Sequence, residues 1–154
     1  MPGIIVVYAS LTGNTEAAMQ AVVEGIHQSS PAPAVKVAEV STVQPASLLS
    51  YDGILFGSYT WGDGELPDEY LDLYEDLQKI DLSGKYVSVF GTGDSSYEQY
   101  NVAVDILTER AKGQGAEIVL EGLKIENLPT GSDRELCREW GRRFAQHLTS
   151  VDAK

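Results

Sequence analysis

Apolar residues along this chain come in two alternating kinds of stretch. Short continuous runs, such as Ile4-Ile5-Val6-Val7 and Ile54-Leu55-Phe56, read as strands buried on both faces. Longer stretches with apolar positions three and four apart read as helices packed on them. The pattern predicts strands over residues 3–9, 34–40, 52–58, 85–91 and 116–122. It predicts helices over 14–28, 67–79, 101–112 and 132–149, with a short helical turn over 45–49. The first helix carries Ala17, Ala18, Ala21, Val22 and Ile26 as its apolar positions. Pro67 suits a first helical turn, Gly113 is expected to end the third helix, and Ser132 with Glu135 reads as a capping box. In the last helix Leu136, Trp140, Phe144 and Leu148 recur every four residues and are expected to form its core face. Five strands alternating with helices predict an α/β fold, a doubly wound parallel sheet with helices on both faces. Ligands of such sheets sit beyond the carboxyl ends of the strands.

The length of 154 residues fits one domain spanning 1–154, and no repeat or linker divides it. Hydrophobic residues at 43% can build a core, and no apolar run approaches the ~20 residues of a membrane span. The first eight residues lack a basic region and read as a strand, so no signal peptide is expected. A single cysteine, Cys137, excludes an internal disulfide and a multi-cysteine metal site, and fits a reducing cytoplasm. Two histidines, His27 and His147, exclude a His-rich metal centre.

Charge adds a second theme. Eleven Lys and Arg face 23 Asp and Glu, a net charge of −12. Such a surface repels nucleic acid and anionic lipid and attracts basic protein surfaces; solubility alone is the plainer explanation. The distribution favours the former. Lys36 is the only Lys or Arg before Lys79, whereas Asp63, Glu65, Asp68, Glu69, Asp72, Glu75 and Asp76 crowd one segment. The last predicted helix instead carries Arg134, Arg138, Arg142 and Arg143.

Three predicted loops at the carboxyl edge carry the candidate chemistry. After the first strand comes Ser10-Leu11-Thr12-Gly13-Asn14-Thr15, leading straight into a helix. A plain helix cap needs one such side chain; four hydroxyls or amides in six positions point to an anion held at a helix N-terminus. The loop is neither GxxxxGK[ST] nor GxGxxG, and no lysine is near. It therefore suits a phosphate monoester held by neutral donors. After the third strand comes Gly57-Ser58-Tyr59-Thr60-Trp61-Gly62-Asp63-Gly64-Glu65, where Trp61 either stacks on a ligand or caps the core edge. After the fourth comes Gly91-Thr92-Gly93-Asp94-Ser95-Ser96-Tyr97-Glu98-Gln99-Tyr100-Asn101. An anion loop and two aromatic loops at one edge describe a slot for a flat ring with a phosphate tail.

These three segments, in this order and spacing, resemble the loops of the flavodoxins, small electron-transfer proteins that carry FMN. The resemblance runs from Ile4 to Leu148 and is closest to the short-chain form, because no long insertion interrupts the predicted fifth strand. It implies the flavodoxin-like strand order 2-1-3-4-5 and a noncovalent FMN. It implies that Ser10, Thr12, Asn14 and Thr15, with the N–H groups of the Leu11–Thr15 turn including Gly13, hold the phosphate. Thr60 and Asn14 would lie near the ribityl chain, and Trp61 and Tyr97 would cover the two faces of the ring. Backbone groups of Asp94, Gln99 and Asn101 would read its pyrimidine edge, with Gly91, Thr92, Gly93 and Tyr100 completing that loop. Gly62, next to Trp61, would rotate its peptide to offer a carbonyl to the protonated ring N5. Some short-chain members place a serine directly before the Thr-Trp pair; here Tyr59 stands there and Ser58 lies one earlier. The implied function is low-potential shuttling of single electrons, mainly on the semiquinone/hydroquinone couple. The implied partners are basic surfaces of redox enzymes, donor reductases and acceptors alike, met transiently by a cytoplasmic monomer with no substrate turnover of its own.

Two other readings compete. An FMN-dependent quinone reductase on the same fold would need a substrate loop and a catalytic base, for which this chain has little spare length. A phosphorylated receiver domain would need an aspartate where Gly57-Ser58 stand and an acidic pair where Ala9-Ser10 stand; Lys124 only weakly matches its lysine.

Overall fold

Six strands form one parallel sheet in the computed structural model, which describes residues 3–10, 13–60, 66–94 and 101–152. In chain order the elements are β1 (Gly3–Tyr8), α1 (Asn14–His27), β2 (Ala34–Glu39), β3 (Gly53–Tyr59), α2 (Asp68–Asp76), β4 (Tyr86–Gly93), α3 (Val102–Gly113), β5 (Glu117–Ile118), β6 (Leu123–Glu126) and α4 (Gly131–Asp152). Short 3-10 turns at Val40–Thr42, Pro45–Ser50 and Leu77–Lys79 fill the connections. The strand order is β2-β1-β3-β4-β5, with β6 also on β4, which is the doubly wound order that the resemblance implies.

Alternate residues of the central strands enter opposite layers, because successive side chains of a strand point to opposite faces. Ile5, Val7, Ile54, Phe56, Val87 and Val89 meet Tyr70, Leu73 and Leu77 from the α2 segment and Val104 and Leu107 of α3. Ile4, Val6, Leu55 and Phe90 meet Ala18, Val22 and Ile26 of α1 and Cys137, Trp140, Phe144 and Leu148 of α4. Each fully buried Ile, Leu or Phe contributes about 1.5–3 kcal/mol. Helices α1 and α4 cross closely. A Cβ on Gly25 would lie 1.9 Å from the Arg138 carbonyl oxygen, and one on Gly141 would lie 2.2 Å from that of Val22. This crossing fixes α1, whose first turn begins the candidate anion site.

The structure corrects four details. The fifth strand is interrupted. Tyr86 and Val87 pair with Glu117 and Ile118, but Phe90 pairs with Leu123, so residues 119–122 stand opposite only Ser88 and Val89. The extra residues are satisfied from elsewhere: the Leu120 N–H donates to the Ser88 hydroxyl at 2.9 Å, and the Trp140 indole donates to the Glu121 carbonyl at 3.0 Å. The capping box lies two residues early. The Thr130 N–H donates to Asp133 at 3.0 Å and the Asp133 N–H to the Thr130 hydroxyl at 3.2 Å, so α4 starts at Gly131. Leu136 is 56% exposed and Cys137 replaces it on the buried face. A spacing of four drifts about 40° per step around a helix of 3.6 residues per turn, so three steps back from Leu148 leave the core face. Gly113 is the last residue of α3, and the left-handed terminator is Gly115 at φ +94°. The Ala116 N–H bonds to the Ala111 carbonyl and the Gly115 N–H to that of Lys112, a Schellman closure.

Cys137 is fully buried between α4 and the sheet, and burial pushes its thiol up to about 11. The native protein should therefore resist a thiol reagent at pH 8 and consume one equivalent once unfolded. Rapid native labelling would place the thiol elsewhere.

Candidate functional site

The carboxyl ends of β1, β3 and β4 gather the described part of the three loops. Backbone bonds hold them side by side: the Ala9 N–H reaches the Gly57 carbonyl at 3.0 Å, and the Thr60 N–H reaches that of Thr92 at 3.3 Å. Ser10 leaves β1 with its hydroxyl accepting the N–H groups of Gly13 at 3.1 Å and Glu16 at 3.3 Å. It thus caps α1 from upstream. Gly13 takes φ +89°, which glycine reaches without steric cost, and a Cβ there would meet no atom within 4 Å. The first turn of α1 carries N–H groups with no intrahelical partner, and its dipole is positive at that end. Among the described residues, no acceptor takes those of Asn14 and Thr15.

Thr15 and Thr92 are each 1% exposed and share a hydrogen bond of 2.7 Å between their hydroxyls. It ties the first turn of α1 to the end of β4. The Thr60 hydroxyl accepts the Ala103 N–H at 3.1 Å and so caps α3 from β3. Ser58 is fully buried and donates to the Tyr59 carbonyl at 2.7 Å. Tyr59 turns its hydroxyl to the Glu69 carboxylate at 3.0 and 3.2 Å, and burial with that bond raises its phenol to about 12. Both hydroxyls are thus engaged within the protein.

Asn101 caps α3 in the left-handed region at φ 53° and is fully buried. Its amide donates to the Ile125 carbonyl at 3.1 Å, while its Oδ1 is buried without a partner among the described residues. A Cβ on Gly93 would lie 3.0 Å from that oxygen, and one on Gly91 would lie 2.6 Å from the Ser58 carbonyl. Gly93 therefore makes room for the Asn101 turn, and Gly91 for the Ser58 carbonyl and Val104. Asp94 follows β4 and is exposed. Leu11, Thr12, Trp61, Gly62, Tyr97, Gln99 and Tyr100 lie outside the described residues.

One residue of the site's frame escapes a reading of the sequence. Tyr70 is fully buried on α2, and its hydroxyl lies 2.8 Å from the Val7 carbonyl and 2.9 Å from that of Gly57. Its one proton is shared between the ends of β1 and β3, just before Ser10 and Ser58. In sequence, Tyr70, Leu73 and Leu77 look only like a core face; the hydroxyl among aliphatic neighbours is the available signal.

The described donors are neutral hydroxyls, an amide and helix N–H groups, with no Lys or Arg among them. This set fits a phosphate monoester, and the unpartnered Asn101 oxygen fits a polar ligand edge beside it.

Comparison with known proteins identifies the family. The flavodoxin family model matches residues 6–141. A probable flavodoxin 2 of Bacillus subtilis is 44% identical over 147 residues, covering 95% of this chain and 96% of that protein. A flavodoxin of Maridesulfovibrio salexigens is 39% identical over 147 residues, covering 94% and 97%. The crystal structure of oxidised flavodoxin 1 from Bacillus cereus superposes with a TM-score of 0.90 at 42% identity, covering 94% of this chain and 98% of that one. The chain therefore belongs to the flavodoxin family of FMN-carrying electron-transfer proteins.

Proposed function

We propose that this chain carries single electrons at low potential between redox enzymes, that basic partners dock transiently on its acidic side, and that it turns over no substrate of its own. The observation that carries this reading is the set of neutral donors at the end of β1 and the start of α1, with no Lys or Arg among the described residues there, locked to β4 by the Thr15–Thr92 bond. FMN, when bound, supplies a ring that accepts electrons one at a time. In this reading Ser10, Thr12, Asn14 and Thr15 and the N–H groups of the turn, with Leu11 and Gly13, hold its phosphate. Thr60 keeps a proton to give the ribityl chain after accepting from Ala103. Trp61 and Tyr97 would cover the ring, Asp94, Gln99 and Asn101 would offer backbone groups to its polar edge, and Gly62 would present a carbonyl to N5. Ser58 and Tyr59 would serve the frame of the site and not the cofactor itself, consistent with their internal bonds. The lone cysteine and acidic surface support a cytoplasmic monomer.

The acids set the second half of the proposal. Asp68, Glu69, Asp72 and Glu75 are exposed on α2, which follows the Trp61 loop directly. Asp68 and Glu69 also suit the positive end of that helix. Two unit charges ~10 Å apart at an effective dielectric near 40 repel by about 0.8 kcal/mol. That is roughly 35 mV for a one-electron step. Neutralising Glu65, Asp68 and Asp72 together should raise the lower of the two reduction potentials by tens of millivolts. It should also slow electron transfer to a basic partner at low salt. A stopped-flow series in salt tests this: a rate independent of ionic strength would remove the docking claim. Steady NAD(P)H consumption with a quinone and no second protein would instead favour the reductase reading.

A further inference from the structure

We propose that Thr92 is a positioning residue for the phosphate of FMN, acting through Thr15 from β4. The inference rests on the reading that the phosphate sits at the N-terminus of α1. The two hydroxyl oxygens lie 2.7 Å apart in a buried setting, and either can be the donor. Each hydroxyl has one proton and can also accept. If Thr15 donates to Thr92, Thr15 has no proton left for an anion. If Thr92 donates to Thr15, the Thr15 proton is free to point at the cradle. A phosphate dianion only accepts hydrogen bonds, so its arrival selects the second arrangement.

The position of each residue fits this division. Thr15 is the second residue of α1, where first-turn N–H groups converge on an anion. Thr92 is held on β4, and its carbonyl accepts the Thr60 N–H. Its side chain is 1% exposed, so water does not compete for its proton. The Thr92 hydroxyl therefore serves the phosphate by fixing the direction of a second hydroxyl. Chains of this kind strengthen when one end meets a charge. Thr92 lies in the segment whose resemblance points to the flavin ring, so this role separates it from its neighbours.

Titrating the apoprotein with FMN and with riboflavin tests the proposal. Thr92→Val keeps the shape and removes the donor. It should weaken FMN about threefold to tenfold and leave riboflavin unchanged, the range expected for one neutral hydrogen bond. Thr92→Ser should return FMN affinity to within about twofold of the parent. With Thr15→Val already in place, adding Thr92→Val should cost FMN nothing more. Thr92→Ala provides the same comparison if the valine variant does not fold. Equal losses for both ligands, or an undiminished second loss on the Thr15→Val background, would make the pair a structural lock and overturn the proposal. A parent protein that binds FMN no better than riboflavin would overturn the phosphate reading and this inference together. A parent that prefers FMN, with Thr92→Val unaltered, would overturn this inference alone.

Discussion

Replacing Gly141 by alanine is expected to destabilise the protein by about 1–3 kcal/mol, although helix propensity alone favours the change by about 1 kcal/mol. The two effects have opposite signs, and the geometry decides between them. The added carbon would lie 2.2 Å from the Val22 carbonyl oxygen and 3.0 Å from its carbon. These are backbone atoms of α1 and cannot rotate aside. The helices must separate, and the buried seam formed by Val22, Ile26, Trp140 and Phe144 loses contact. Gly25→Ala should behave alike, since its carbon would meet the Arg138 backbone at 1.9 Å. Gly113→Ala is the control: nothing lies within 4 Å of its Cβ, so its stability should hold or rise slightly. Urea unfolding of the three apoproteins checks this. A Gly141→Ala midpoint equal to the parent's would mean that the crossing is looser than described.

Asn14→Ala or Thr12→Val should weaken FMN roughly tenfold to a hundredfold and riboflavin far less, because in the proposed site only FMN brings a phosphate to the turn. A hydrogen bond to a charged group contributes about 1.5–3 kcal/mol. No Lys or Arg stands between Met1 and Lys36 to compensate. Asn14 opens α1 and is half-buried beside Gly13. Fluorescence titration of the apoproteins with both ligands reads the difference directly. Equal losses would show that the turn supports the fold without meeting the phosphate.

Much of this architecture is legible in one dimension. Ile4 to Val7 and Ile54 to Phe56 are apolar at every position because helices cover both faces, and the buried strands bear that out. The helices follow their spacing, and Trp140 is buried at 6% exposure. What escapes notice depends on partners far along the chain. The interruption before β6 needs Ser88 and Trp140 to satisfy the extra backbone, and no local residue announces it. Thr130–Asp133 and Ser132–Glu135 both fit a capping box; the observed bonds select the earlier one. At the site, the loops stand out because their hydroxyls, amides and glycines exceed what turns require. The internal bonds of Ser58, Tyr59 and Thr15 do not stand out, because a sequence shows which groups can bond and not which partner is nearer.

The central claim is that FMN on this chain takes electrons singly at low potential. An anaerobic redox titration of the purified holoprotein, followed by its visible spectrum, tests it most directly. One FMN per chain and two separate one-electron steps are expected, with the second well below the first. A single two-electron step, or a purified chain that cannot retain FMN, would contradict it.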